Sequence, residues 1–153
     1  MKNLIVFIIT LITIPVLAQV EEIRKENYNL KEGKYALEGY DPVSYFRDDE
    51  PQKGKSEFTL KFKGVYYRFA SKSNQEEFKK NPSNYEPAYG GWCAYAMAEG
   101  EKVKIDPKTY KIIDQTLYVF YNFNFTNTLK SWNKDESALK IKADTEWDSI
   151  IKE

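Results

Sequence analysis

From residue 55 onward the chain alternates apolar and polar positions in short, punctuated runs. Phe58-Thr59-Leu60-Lys61-Phe62 and Val65-Tyr66-Tyr67-Arg68-Phe69 flank Lys63-Gly64. This is the pattern of a β-hairpin in which glycine supplies positive φ in a two-residue turn. Tyr110-Lys111-Ile112-Ile113 and Leu117-Tyr118-Val119-Phe120-Tyr121 give a second hairpin around Asp114-Gln115. Between the two, residues 71–78 open a helix, with Ser73 and Glu76 spaced as a capping box and Asn81-Pro82 closing it. Toward the end Leu129, Trp132, Leu139, Ile141, Trp147 and Ile150 recur at roughly helical spacing and predict one or two packing helices. Hairpins interleaved with helices define an α+β class: a small domain with two β-hairpins and several short helices.

Upstream the pattern weakens. In residues 35–46, Gly39 and Asp41-Pro42 punctuate a turn into a short helix or extended piece, and residues 47–56, with Pro51 and Gly54, read as a loop. Residues 19–34 are charged with sparse apolar positions, the composition of a linker or loosely docked arm. Residues 1–18 carry one lysine, an apolar run over 4–14 and small side chains before Gln19, which is the make-up of an export signal cleaved after Ala18. The apolar run is shorter than the roughly 20 residues a bilayer span needs, so no stable membrane insertion is expected after cleavage. The expected organisation is a signal peptide over 1–18, a linker over 19–34 and one domain over 35–150, periplasmic or secreted. No internal repeat is visible.

Composition narrows the chemistry. The 153 residues hold 23 Lys plus Arg against 23 Asp plus Glu, no His and one Cys. Without histidine there is no Ser-His or Cys-His dyad and no imidazole metal site. The balanced charge lacks the basic excess of a nucleic-acid binder. A non-enzymatic protein is the expectation.

One residue carries reactive chemistry. Cys93 has no partner for an intrachain disulfide, and in an exporting route it is an inert buried thiol, an intermolecular crosslinker, or a reactive or metal-binding group. Gly90-Gly91 before it and Gly100 after it bracket Ala-rich residues, which predicts a short helix with Cys93 in its first turn. Peptide dipoles there favour a thiolate, and Met97, four residues on, would stack on the same face. A thiolate with a thioether is a soft pair suited to copper(I). Equally, Cys93 and Met97 between Trp92 and Tyr95 fit core packing. Tyr40, Asp41, Tyr45, Tyr89 and Trp92 are candidates to border a small-molecule pocket, while Asp41-Pro42 also fits a turn cap. Alternating aromatics in the hairpins fit the two faces of a packed sheet. Asn124-Phe125-Thr126 is a glycosylation sequon only in a eukaryotic secretory route.

Two segments together resemble the YHS domain family: Asp41-Pro42-Val43-Ser44, and Gly64-Val65-Tyr66-Tyr67-Arg68-Phe69-Ala70-Ser71 continuing through Asn74, Phe78 and Asn81-Pro82 to Tyr85. Residues 88–96, Asp106-Pro107 and the second hairpin are similar to its exported, cysteine-poor branch. The resemblance covers residues 35–150 and implies the α+β domain above. It also implies metal handling through cysteines that fall here on Ser44, Ala70 and Asn74, none of which is a thiolate ligand. The expected function is an exported YHS-like binding protein taking a soft metal, copper first, through Cys93 and Met97. The rival is a structural or interaction module, or a small-molecule binder, with an inert Cys93.

Overall fold

A computed structural model describes residues 16–48 and 50–152. The signal-peptide reading therefore lies mostly outside the described residues. The described chain is α+β, with three two-stranded antiparallel sheets among helices. Strands β1 (Lys55–Phe62) and β2 (Val65–Phe69) form the first expected hairpin. Strands β3 (Asp106–Ile113) and β4 (Thr116–Phe120) form the second. Lys63-Gly64 and Asp114-Gln115 all have positive φ, the type I′ pattern that matches strand twist.

In the stretch expected to be a linker or loosely docked arm, helix α1 (Val16–Asn27) takes in residues 19–27, and Arg24 on it is buried. The charged sequence hides this, because a single long side chain anchors the helix rather than an apolar stripe. The helix after β2, α3 (Lys72–Lys80), is capped by Ser71 rather than Ser73: the Ser71 hydroxyl accepts from the Asn74 N–H. Ser71 is still extended at φ −146° and ψ 161° as it leaves the strand, which is the backbone an N-cap requires.

Strand β4 divides two cores. Leu117 and Val119 point into one with Leu37, Val43, Val65, Tyr67, Phe69, Phe78 and Cys93. Tyr118 and Phe120 point into the other, formed with Tyr89, Met97, Trp132 and Ala143. Because side chains alternate across a strand, both faces of β4 are covered, and its aromatics are packing groups. The second core is closed by helices α5 (Thr128–Trp132) and α6 (Glu136–Ile150), where the terminal helical spacing predicted them. Ile141, part of that spacing, is 68% exposed and lies off the packed face.

The backbone also contains a repeat that the sequence marks only by an Ala-x-x-Gly spacing. Ala36–Gly39 and Ala88–Gly91 are 3₁₀ turns whose inner residues share left-handed conformations: Leu37 (53°, 36°) and Glu38 (55°, 19°) in one, Tyr89 (53°, 36°) and Gly90 (59°, 17°) in the other. Each is followed by a four-residue helix, α2 (Ser44–Arg47) and α4 (Ala94–Met97), and then by a hairpin. The residue before each turn bridges in parallel to the second strand of its hairpin, Tyr35 to Tyr66 and Pro87 to Leu117. Both hairpins break register near the start of their first strand, between Lys55 and Thr59 and between Asp106 and Tyr110. Gly90 is tightly packed: a Cβ there would lie 2.8 Å from the Tyr28 ring, just after α1, and 2.9 Å from Trp147 on α6.

Candidate functional site

The repeat gives Asp41 and Cys93 equivalent places. The N–H of Asp41 donates to the Gln52 carbonyl, and that of Cys93 to the Val103 carbonyl. Each side chain then holds the chain just beyond the second strand. Asp41 Oδ2 accepts from the Ala70 N–H at 2.8 Å, and Cys93 Sγ accepts from the Tyr121 N–H at 3.3 Å. Each has a further polar neighbour: Asn74 Nδ2 donates to Asp41 at 2.7 Å, and the Thr128 hydroxyl lies 3.3 Å from Sγ. A carboxylate in one unit and a sulfur in the other do the same work of satisfying a backbone donor at a strand exit.

Around Asp41 the structure gathers all three positions that the YHS pattern would fill with cysteine. Ala70 and Asn74 donate to its carboxylate, and Ser44 Oγ donates to its carbonyl at 2.7 Å while accepting from the Gln52 N–H. Oδ1 takes the Val43 N–H at 2.8 Å. Asp41 is fully buried, and burial raises its pKa against the Ala70, Asn74 and Val43 donors on its carboxylate, which together with the Ser44 N–H pull it down. The three positions of the pattern, Ser44, Ala70 and Asn74, thus serve hydrogen bonds around the buried Asp41.

Cys93 and Met97 do not form the expected pair. Cys93 is the residue before α4, with φ −58° and ψ 116°, so the helical four-residue stacking does not apply to it. Its side chain enters the first core and that of Met97 the second, and both are fully buried. The donor set does not fit a soft metal: the sulfur is engaged by an N–H and a hydroxyl, and the thioether lies in hydrocarbon. Among the described residues no group of three or more His, Cys, Asp or Glu is placed to hold a metal.

The aromatic candidates are distributed rather than convergent. Tyr40 and Tyr45 pack with the first core; the Tyr45 hydroxyl donates to the Pro107 carbonyl at 2.8 Å, and its ring stands edge-on to Tyr110. Tyr89 and Trp92 pack with the second core, donating to Asp144 Oδ1 at 2.8 Å and to the Asn27 carbonyl at 2.6 Å. Burial drives the Tyr45 and Tyr89 pKa values upward, with the bonded Asp144 adding to the effect on Tyr89. Tyr40 and Tyr45 thus pack with one core and Tyr89 and Trp92 with the other, while the Asp41 carboxylate is taken up by hydrogen bonds.

A cluster without a sequence signature joins Arg24, Tyr67 and Glu86. The Arg24 guanidinium pairs with Glu86, lies 3.3 Å from the Tyr67 hydroxyl and stacks 4.5 Å from the Tyr28 ring centre. Tyr67 in turn donates to Glu86. Burial pushes the Tyr67 hydroxyl well above its ordinary pKa, and the Glu86 charge pushes the same way. Nothing in the local sequence around Arg24 or Glu86 distinguishes them from solvated charges; only the fold brings them together. Beside them an apolar hollow of 220 Å³ is lined by Val20, Ile23, Tyr28, Trp147 and Ile151. No described helix is long and apolar enough to cross a membrane. Compared with protein-family models, curated proteins and solved structures, the chain shows no match.

Proposed function

We propose that the chain is an exported, non-enzymatic interaction module of the YHS type, acting through its surface, with Cys93 as a structural thiol. The observation that carries this reading is the fully buried Cys93 Sγ, which accepts the Tyr121 N–H at the place where Asp41 accepts the Ala70 N–H. The one nucleophilic sulfur is thereby committed to holding a strand exit. The same commitment disfavours copper, since a soft ion would have to displace an N–H and a hydroxyl from a dry site. The test is thiol labelling of the folded protein with a disulfide reagent, alongside copper(I) titration of wild type and Cys93→Ser. Folded protein should label only after denaturation and should bind copper(I) no more tightly than the variant. Rapid labelling of the native state, or copper(I) affinity that disappears in Cys93→Ser, would overturn the reading.

A further inference from the structure

The third hairpin carries a feature that the fold does not use. Strands β5 (Asn122–Phe123) and β6 (Thr126–Asn127) are joined by Asn124 and Phe125, with φ of 51° and 63°. This type I′ pattern favours glycine at its second position, because a Cβ in the left-handed region is strained. The chain places phenylalanine there, and its side chain is wholly in solvent, 111% exposed. No contact within the protein offsets the strain. Gln115 takes the same place in the β3–β4 turn, so what sets this tip apart is a large apolar ring left wholly in water.

The surroundings indicate what the tip meets. Phe123, 37% exposed, stands edge-on to Tyr121 at 5.1 Å, and Lys104 Nζ lies 4.9 Å from the Phe123 ring centre. Residues 115–134 contain no Asp or Glu, and Lys130 sits on α5 directly after β6. Exposed aromatic rings with an ammonium group beside one of them match the boundary layer of a bilayer, where rings enter the headgroup region and lysines meet phosphates. A protein pocket would need complementary area around the anchor. This tip offers two rings on a hairpin of two-residue strands, which suits a lipid surface.

We propose that the β5–β6 hairpin docks the protein onto a lipid surface bearing anionic headgroups, with Phe125 as the inserted side chain. This rests on the reading of the chain as an interaction module and names its partner. Because residues 4–14 would themselves partition into lipid, the readout is placed at residue 125. In full-length Phe125→Trp, the emission difference from wild type should shift to the blue and be quenched by brominated lipid on vesicles containing roughly a third phosphatidylglycerol, but not on phosphatidylcholine alone. Adding Lys104→Glu should weaken that titration by about tenfold. Phe125→Gly should melt at higher temperature than wild type, since the strain is relieved and no packing is lost. Unchanged emission from residue 125 on both vesicles overturns the proposal and leaves a partner protein as the receptor of the tip. A lower melting temperature for Phe125→Gly overturns it too, because Phe125 would then serve the fold. Neither result bears on Cys93 labelling, so the two readings fail separately.

Discussion

Asp41→Ala is the sharpest test of the shared anchor position. It strips acceptors from the Val43 N–H, the Ala70 N–H and the Asn74 amide. The Val43 N–H is buried and carries the full penalty of an unmade bond, about 2 kcal/mol, whereas Ala70 and Asn74 are half-buried and recover part of theirs from water, about 1 kcal/mol each. Relief of the carboxylate's own desolvation returns about 1 kcal/mol, leaving a net loss of about 3 kcal/mol. With roughly 2 kcal/mol per molar for a chain of this size, the urea midpoint followed by tryptophan fluorescence should fall by about 1.5 M. A midpoint within about 0.3 M of wild type would refute the argument. Asp41→Asn should lose less, since one amide oxygen still accepts. The pH dependence adds a second readout. Asp41 binds its proton more readily in the folded chain than at the ordinary 3.8, so its ionisation costs stability: the cost is absent below 3.8 and complete above the raised folded value. Asp41→Asn has no such group. The advantage of wild type over Asp41→Asn must therefore grow as pH falls through that window and be smallest at neutral pH.

The other predictions concern separate parts of the molecule. Glu86→Ala leaves Arg24 buried beside Tyr67 without its counter-charge and should cost about 3 kcal/mol, with hydrogen exchange quickening first in α1. Restored protection in Glu86→Gln equal to wild type would show that charge is not what holds the helix. Cys93→Ala removes one weak acceptor and a small buried volume, so its unfolding free energy should drop by about 1 to 2 kcal/mol, less than for Asp41→Ala. The reverse order would deny the two residues their equivalent roles. Trp132→Ala opens the second core between Tyr118 and Phe120 and should destabilise by about 3 to 5 kcal/mol in thermal melts.

What the sequence made legible were features with a local cause. Alternation and two-residue turns gave both long hairpins, Asn81-Pro82 gave the end of α3, and the terminal spacing gave the closing helices. Features that depend on distant partners stayed hidden. Arg24 becomes an anchor only when Glu86 and Tyr67 arrive, so α1 read as linker. The turns at Ala36–Gly39 and Ala88–Gly91 share backbone angles but place glycine differently: Glu38 stands where the other has Gly90. Ala36 and Gly39 recur as Ala88 and Gly91, a match too short to mark a repeat in the sequence. Cys93 and Met97 were spaced for one helix face, yet the extended ψ at Cys93 lies before the helix begins and sends the two side chains into different cores. The Asp41-Pro42 turn was visible as a cap, but its reach to Ala70 and Asn74, residues of another element, was not. The five aromatic and acidic candidates were grouped by chemistry, and the two-sided burial of β4 separates them.

The crowding at Gly90 has its own implication. With Tyr28 on one side and Trp147 on the other, this peptide acts as a rivet between the two ends of the described chain. Any bulkier residue would have to push aside one terminus or the other. A mutational scan would therefore find position 90 among the least forgiving in the protein, although it bears no functional group, and intolerance there would record geometry rather than chemistry.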